Sequence, residues 1–108
     1  MKEIRAVIRP ARLEALREAV RKRPDFPGMT VVKAQGSGYH PGKPSQGLKA
    51  ELTDFSDRVL IELVAPDDQV DELVAVIHGI CHTGQIGDGV VWVTPVESFL
   101  RLREPLGR

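Results

Sequence analysis

A single cysteine, Cys81, in 108 residues leaves no internal disulfide framework and fits a reducing compartment. Neither sign of charge is in excess. Fifteen Lys and Arg balance 15 Asp and Glu, so no basic field points to nucleic acid. No apolar run approaches the ~20 residues of a membrane span, and the first residues show no signal-peptide core. A cytoplasmic domain is expected. Phosphate-loop signatures are missing too: there is no Gly-Lys-Ser or Gly-Lys-Thr, and Gly36-Ser37-Gly38 lacks the third glycine of a dinucleotide fingerprint. Ser, His and Asp occur, but at no spacing that pairs a nucleophile with a base. Catalysis is not expected.

What is present is an ordinary globular composition, 42% apolar and 28% charged. A chain of this length forms one domain, residues 1–108, burying about two thirds of its unfolded surface. Residues 2–9 alternate, with Ile4, Ala6 and Ile8 on one face, and predict a strand. Residues 12–23 place Leu13, Leu16 and Val20 at helical spacing, and Pro24 stops that helix. Asp25-Phe26-Pro27-Gly28 reads as a turn, and Thr30-Val31-Val32 as the centre of a second strand. Residues 36–56 carry Gly and Pro with few apolar anchors. A connection of ~20 residues without obvious structure tends to be functional. Residues 58–65 form the clearest strand, and Pro66-Asp67-Asp68 opens a second helix with Pro and acids where an N-terminus favours them. Its apolar stripe is Val70, Leu73, Val74, Ile77, Ile80 and Cys81, and a last strand covers residues 90–94.

Strand, helix, strand, long loop, strand, helix, strand is the order of an α+β, ferredoxin-like βαββαβ sandwich: an antiparallel sheet with both helices on one face. The other face of such a sheet is normally polar. Here Val7, Leu60, Val64 and Trp92 fall on the parity opposite to Ile8, Ile61 and Val93, so both faces read as apolar. With both helices spent on one face, a second copy of the chain is the expected cover of the other, in a homo-oligomer.

Between the second helix and the last strand lies Thr83-Gly84-Gln85-Ile86-Gly87-Asp88-Gly89, three glycines in seven residues. Such turns can converge backbone N–H groups into a nest for phosphate. The same residues also suit a helix C-cap at Gly84 and a turn at Asp88-Gly89. His78 and His82 stand one helical turn apart with Cys81 between them, a spacing open to metal or to favourable placement at a helix C-terminus.

Taken together, these stretches resemble the P-II family of signalling proteins from start to end. The resemblance rests on Met1-Lys2-Glu3-Ile4, Ile8-Arg9-Pro10, Gly28-Met29-Thr30-Val31, Gly36-Ser37-Gly38, residues 59–64 with Pro66-Asp67-Asp68, Thr83-Gly84-Gln85-Ile86-Gly87-Asp88-Gly89, and Arg101-Leu102-Arg103. It implies a homotrimer that binds adenine nucleotide in clefts between subunits and signals through a long loop, here residues 37–57, to a transporter or an enzyme. Gly87, Asp88 and Gly89 are then expected to hold phosphates through backbone N–H groups. Arg101 and Arg103, alternating on a terminal strand, would clamp phosphate from the neighbouring subunit. Gly28, Met29, Thr30, Glu62, Leu63 and Val64 resemble the positions that cradle adenine and ribose, and Gly36, Ser37 and Gly38 the hinge of the loop.

Departures from the family pattern sharpen the expectation. The Lys that usually follows Gly-Asp-Gly is Val90 here. Losing a charge-assisted bond of about 1.5–3 kcal/mol shifts preference from ATP toward ADP or AMP. His40 stands in place of a Gln, and Arg58 in place of the Lys associated with 2-oxoglutarate, which puts that effector in doubt. The modifiable Tyr is absent from Gly47-Leu48-Lys49-Ala50-Glu51-Leu52, so uridylylation there is not expected. The resemblance is to divergent members linked to bicarbonate or carbon metabolism or to metal export. Tyr39, His40, Lys43 and Arg58 are the candidates for a small-anion pocket such as one for bicarbonate. The alternative is a trimeric metal-binding or metal-tolerance protein of the same general fold, with His40, His78, Cys81 and His82 as ligands.

Overall fold

The alternating apolar residues of the chain's start, middle and end assemble into one four-stranded antiparallel sheet in a computed structural model that describes residues 1–37 and 55–107. Its strands are β1 (Lys2–Ile8), β2 (Thr30–Gly36), β3 (Ser56–Ala65) and β4 (Gly89–Pro95), and its helices are α1 (Leu13–Arg21) and α2 (Asp67–Cys81). A short 3-10 turn, Pro10–Arg12, leads into α1. Spatial order is β2-β3-β1-β4, which puts the clearest alternators, β1 and β3, in the middle and leaves β2 and β4 as edges. This is the ferredoxin-like arrangement read from the sequence. Among the described residues, no helix is long and apolar enough to cross a membrane.

The core lies between one face of the sheet and the two helices. Ile4, Ala6 and Ile8 from β1 meet Val59, Ile61, Leu63 and Ala65 from β3, and Leu16, Val20, Val70, Leu73 and Ile77 close over them. Pro66 caps α2, with Asp67 and Asp68 in its first turn, where the helix dipole favours negative charge. Pairing fixes the opposite face equally well. Val32 stands opposite Leu60, Leu60 opposite Val7 and Val7 opposite Val90, a row of four aliphatic side chains spanning all four strands. The next row runs Thr30, Glu62, Arg5, Trp92. Among the described residues no helix covers this face, and Trp92 and Val32 stand about two-fifths exposed, at 38% and 43%.

Two boundaries differ from the sequence reading. Strand β2 runs on to Gly36, and β3 begins at Ser56, so Gly36, Ser56 and Asp57 are ladder residues rather than loop. Residues 38–54 of the expected loop, with Gly38, Tyr39, His40 and Lys43, lie outside the described residues. The expected terminal strand carrying Arg101 and Arg103 is instead a turn, closed by the Glu104 N–H on the Arg101 carbonyl at 2.9 Å. A strand needs a ladder partner for its backbone groups, and this segment satisfies them locally.

Candidate functional site

The glycine-rich connection between α2 and β4 is shaped by one carboxylate. Asp88 accepts from the Thr83 N–H at 2.6 Å, the Thr83 hydroxyl at 2.5 Å and the Gly84 N–H at 2.9 Å. Its own N–H donates to the Gln85 carbonyl at 3.3 Å. The residue therefore buckles the loop, and its N–H is already engaged rather than free for phosphate as the sequence reading had it. Gly84, Gly87 and Gly89 all have positive φ, between 84° and 109°. At Gly89 a side chain has no room at all, since a Cβ would stand 1.9 Å from the Val7 carbonyl oxygen.

The Thr83 hydroxyl first, then the Thr83 and Gly84 N–H groups and the Arg9 guanidinium, hold the Asp88 carboxyl at about 2, below its ordinary value. A depressed carboxylate contributes stability above the ordinary carboxylate range and loses it as pH falls through the folded value. The expected result is that the Tm advantage of the native protein over Asp88→Asn is full at pH 5 and shrinks between pH 4 and pH 2. Melts across that range check it, and a constant difference would show the carboxylate's charge to be idle.

Two guanidinium groups meet the loop from the sheet. Arg9, just past the end of β1, donates to the Ile86 carbonyl at 3.1 Å and lies 3.5 Å from the Asp88 carboxylate. A Cβ on Gly87 would stand 3.0 Å from the Arg9 terminal nitrogen and 3.5 Å from that of Arg58. Arg58 in turn packs its stem 3.3 Å from where a Gly36 Cβ would be. Gly36, Arg58, Gly87 and Arg9 thus converge on one spot, a glycine backbone faced by two planar cations suited to an oxyanion. Arg58 was legible as an anion candidate, but Arg9 was not. The carbonyl it holds is 77 residues away in sequence.

A second feature lies farther along β3. A hollow of about 320 Å³ is lined by Gly28, Met29, Thr30, Glu62, Val64 and Arg101, with Glu3, Pro27 and Phe99. Most of the residues expected to cradle a purine therefore do come together, joined by Arg101. The Arg101 guanidinium sits 5.3 Å from the centre of the Phe99 ring, a cation–π contact. The Glu62 carboxylate is steadied by Arg5 Nε at 3.0 Å. Leu63 does not belong to the hollow. It is 2% exposed, because its parity turns it into the core. Arg103, in the terminal turn, does not line the hollow among the described residues.

Within one chain the two features are separated. Arg58 and Glu62 are four residues apart on the same face of β3, about 13 Å of strand, with Leu60 between them. Among the described residues no group of three or more His, Cys, Asp or Glu is arranged to hold a metal ion. Cys81 is turned into the core, while the His78 and His82 rings stack on each other outside it. The metal-ligand set of the alternative reading is thus not assembled by its described members, and His40 lies beyond them.

A family model described as "Nitrogen regulatory protein P-II" matches residues 1–105. The chain is 39% identical over 104 residues to a nitrogen regulatory protein P-II of Azospirillum brasilense. It is 40% identical over 104 residues to nitrogen regulatory protein P-II 1 of Escherichia coli K12, and 36% to a nitrogen regulatory protein P-II of Porphyra purpurea. Each match covers 95% of this chain and 92% of the relative.

Proposed function

This chain belongs to the nitrogen regulatory protein P-II family, a family of signal-transduction regulators, and on that premise we propose that it senses an adenine nucleotide and passes the signal to a protein partner. The observation that carries the proposal is the convergence of Arg9 and Arg58 on the positive-φ Gly87 of a buckled glycine loop. Phosphate is seated there, and the hollow beside Thr30 and Glu62 takes the purine, with the Glu62 carboxylate and Thr30 hydroxyl as its polar partners. The separation of the two features supports a cleft between copies, in which one chain supplies the loop and its neighbour the hollow with Arg101 and Arg103. The uncovered row Val32, Leu60, Val7, Val90 supplies the adhesive face of a homotrimer.

Val90, 61% exposed beside Gly89, brings no charge to the outer phosphates, so ADP and AMP bind in preference to ATP. Arg9 and Arg58 also suit a small planar anion such as bicarbonate next to the nucleotide, with Tyr39 and His40 as further members of that pocket. The segment 37–57, starting beside Gly36, contacts the partner, a membrane transporter or an enzyme. The protein acts in the cytoplasm as a regulator and not as a catalyst.

Calorimetry with AMP, ADP and ATP, with and without bicarbonate, tests this reading. Saturable binding is expected, weakest for ATP. Removing Arg101 and Arg103 together is expected to weaken it by about tenfold or more, as loss of charge-assisted contacts does. No saturable binding of any adenine nucleotide would end the proposal, and unchanged affinity in the double variant would remove those two residues from the site.

A further inference from the structure

We propose that His78 and His82 form an open, two-imidazole site for a divalent transition-metal cation, Cu²⁺ above all, at the C-terminal end of α2. The inference does not rest on the nucleotide reading. His78 stands in the last turn of α2 and His82, four residues on, is the residue that caps it, so the two side chains lie at the same end of the helix. Their rings lie nearly parallel, 20° apart with centroids separated by 4.6 Å, and both residues are exposed. Metal–imidazole bonds of about 2.0–2.1 Å lie in the ring plane, so binding one ion requires one of the two exposed rings to swing out of the stack until both nitrogens face the same point.

Three surroundings favour a cation. His82 Nδ1 lies 4.0 Å from Asp88 Oδ2, beyond hydrogen-bond reach but close enough for the carboxylate's charge to favour a cation on this imidazole. The last turn of α2 presents the negative end of its dipole. A cavity of about 370 Å³, lined by His78, His82, Gln85 and Asp88 over a wall that includes Ile77, Cys81 and Val91, leaves space for water ligands on its polar side. Cys81 points into the core and supplies no thiolate, so the donors are nitrogen and water, a set that ranks Cu²⁺ above Ni²⁺ and Zn²⁺. The Arg9 guanidinium lies on the far side of the same carboxylate, at Oδ1, and Arg12 also acts on Cys81 nearby. These charges keep the site weaker than a closed four-ligand centre. Asp88 is thereby common to the metal site and to the buckle of the glycine loop.

The test is titration of the purified full-length protein with Cu²⁺ alone in a weakly coordinating buffer, followed by calorimetry and electron paramagnetic resonance. One ion per chain is expected, with hyperfine splitting from two imidazole nitrogens, a signature that needs no variant to read. His78→Gln and His82→Gln should each weaken binding by about tenfold or more, and the double variant should abolish it. ADP calorimetry on the double variant is expected to match the native protein, which separates failure of this site from failure of the nucleotide reading. Absence of stoichiometric Cu²⁺ binding, a spectrum without two imidazole nitrogens, or binding that survives the double variant would overturn the proposal.

Discussion

Gly89→Ala is expected to destabilise the fold by about 3–5 kcal/mol, at the severe end for a single substitution. Two causes act together. The residue has φ 109°, where side chains other than hydrogen are strained, and the new Cβ would stand 1.9 Å from the Val7 carbonyl oxygen and 3.0 Å from its carbon. Val7 cannot withdraw, because β1 is held on both sides by β3 and β4. At fixed protein concentration the Tm should fall by more than about 10 °C. Gly84→Ala has the strained backbone without the collision, since nothing stands within 4 Å of its Cβ position, and should cost much less. Gly79→Ala, in the open interior of α2, should stabilise by about 0.5–1 kcal/mol. Thermal and urea melts of the three variants check the series. Equal effects at Gly89 and Gly84 would show that the strand yields after all.

Arg9→Ala is expected to lower adenine nucleotide affinity by about ten- to a hundredfold, the worth of a charge-assisted contact. The change removes one wall of the anion spot at Gly87 and also frees the Ile86 carbonyl and the Asp88 carboxylate that Arg9 holds. Arg9→Lys should recover only part of the loss, because a single ammonium cannot reach the carbonyl and the carboxylate as a planar fork does. Arg17→Ala, a surface residue paired to Glu14 within α1, should leave affinity unchanged. Calorimetry on the four proteins decides the matter, and native-like affinity in Arg9→Ala would reduce this residue to a surface ornament of the loop.

Arg9 also marks where sequence reasoning stops. The strands β1 and β3 were legible because period-two alternation is local, and the same parity pointed to an apolar outer face, of which the register shows one aliphatic row beside a row holding Thr30, Glu62 and Arg5. The glycine loop was legible as a place of positive φ, since glycine density announces it. Which groups close that loop was not, because the bond from Arg9 to Ile86 joins positions that only the sheet order brings together. The Asp88 N–H was assigned to phosphate, whereas it donates to the Gln85 carbonyl while the side chain holds Thr83 and Gly84. Leu63 was carried along with its neighbours Glu62 and Val64, although parity alone would have set it in the core. The alternation of Arg101 and Arg103 suggested a strand, but alternation without a neighbouring ladder leaves a turn.

Val90 occupies one end of the aliphatic row at the margin of the sheet, within one residue of the loop that faces the oxyanion spot. An ammonium at that position would serve a phosphate and repel a hydrophobic neighbour. A branched hydrocarbon does the reverse. On the proposed reading, the exchange of one for the other would tune two equilibria in opposite directions from a single codon, weakening the grip on the outermost phosphate while tightening the adhesion between copies.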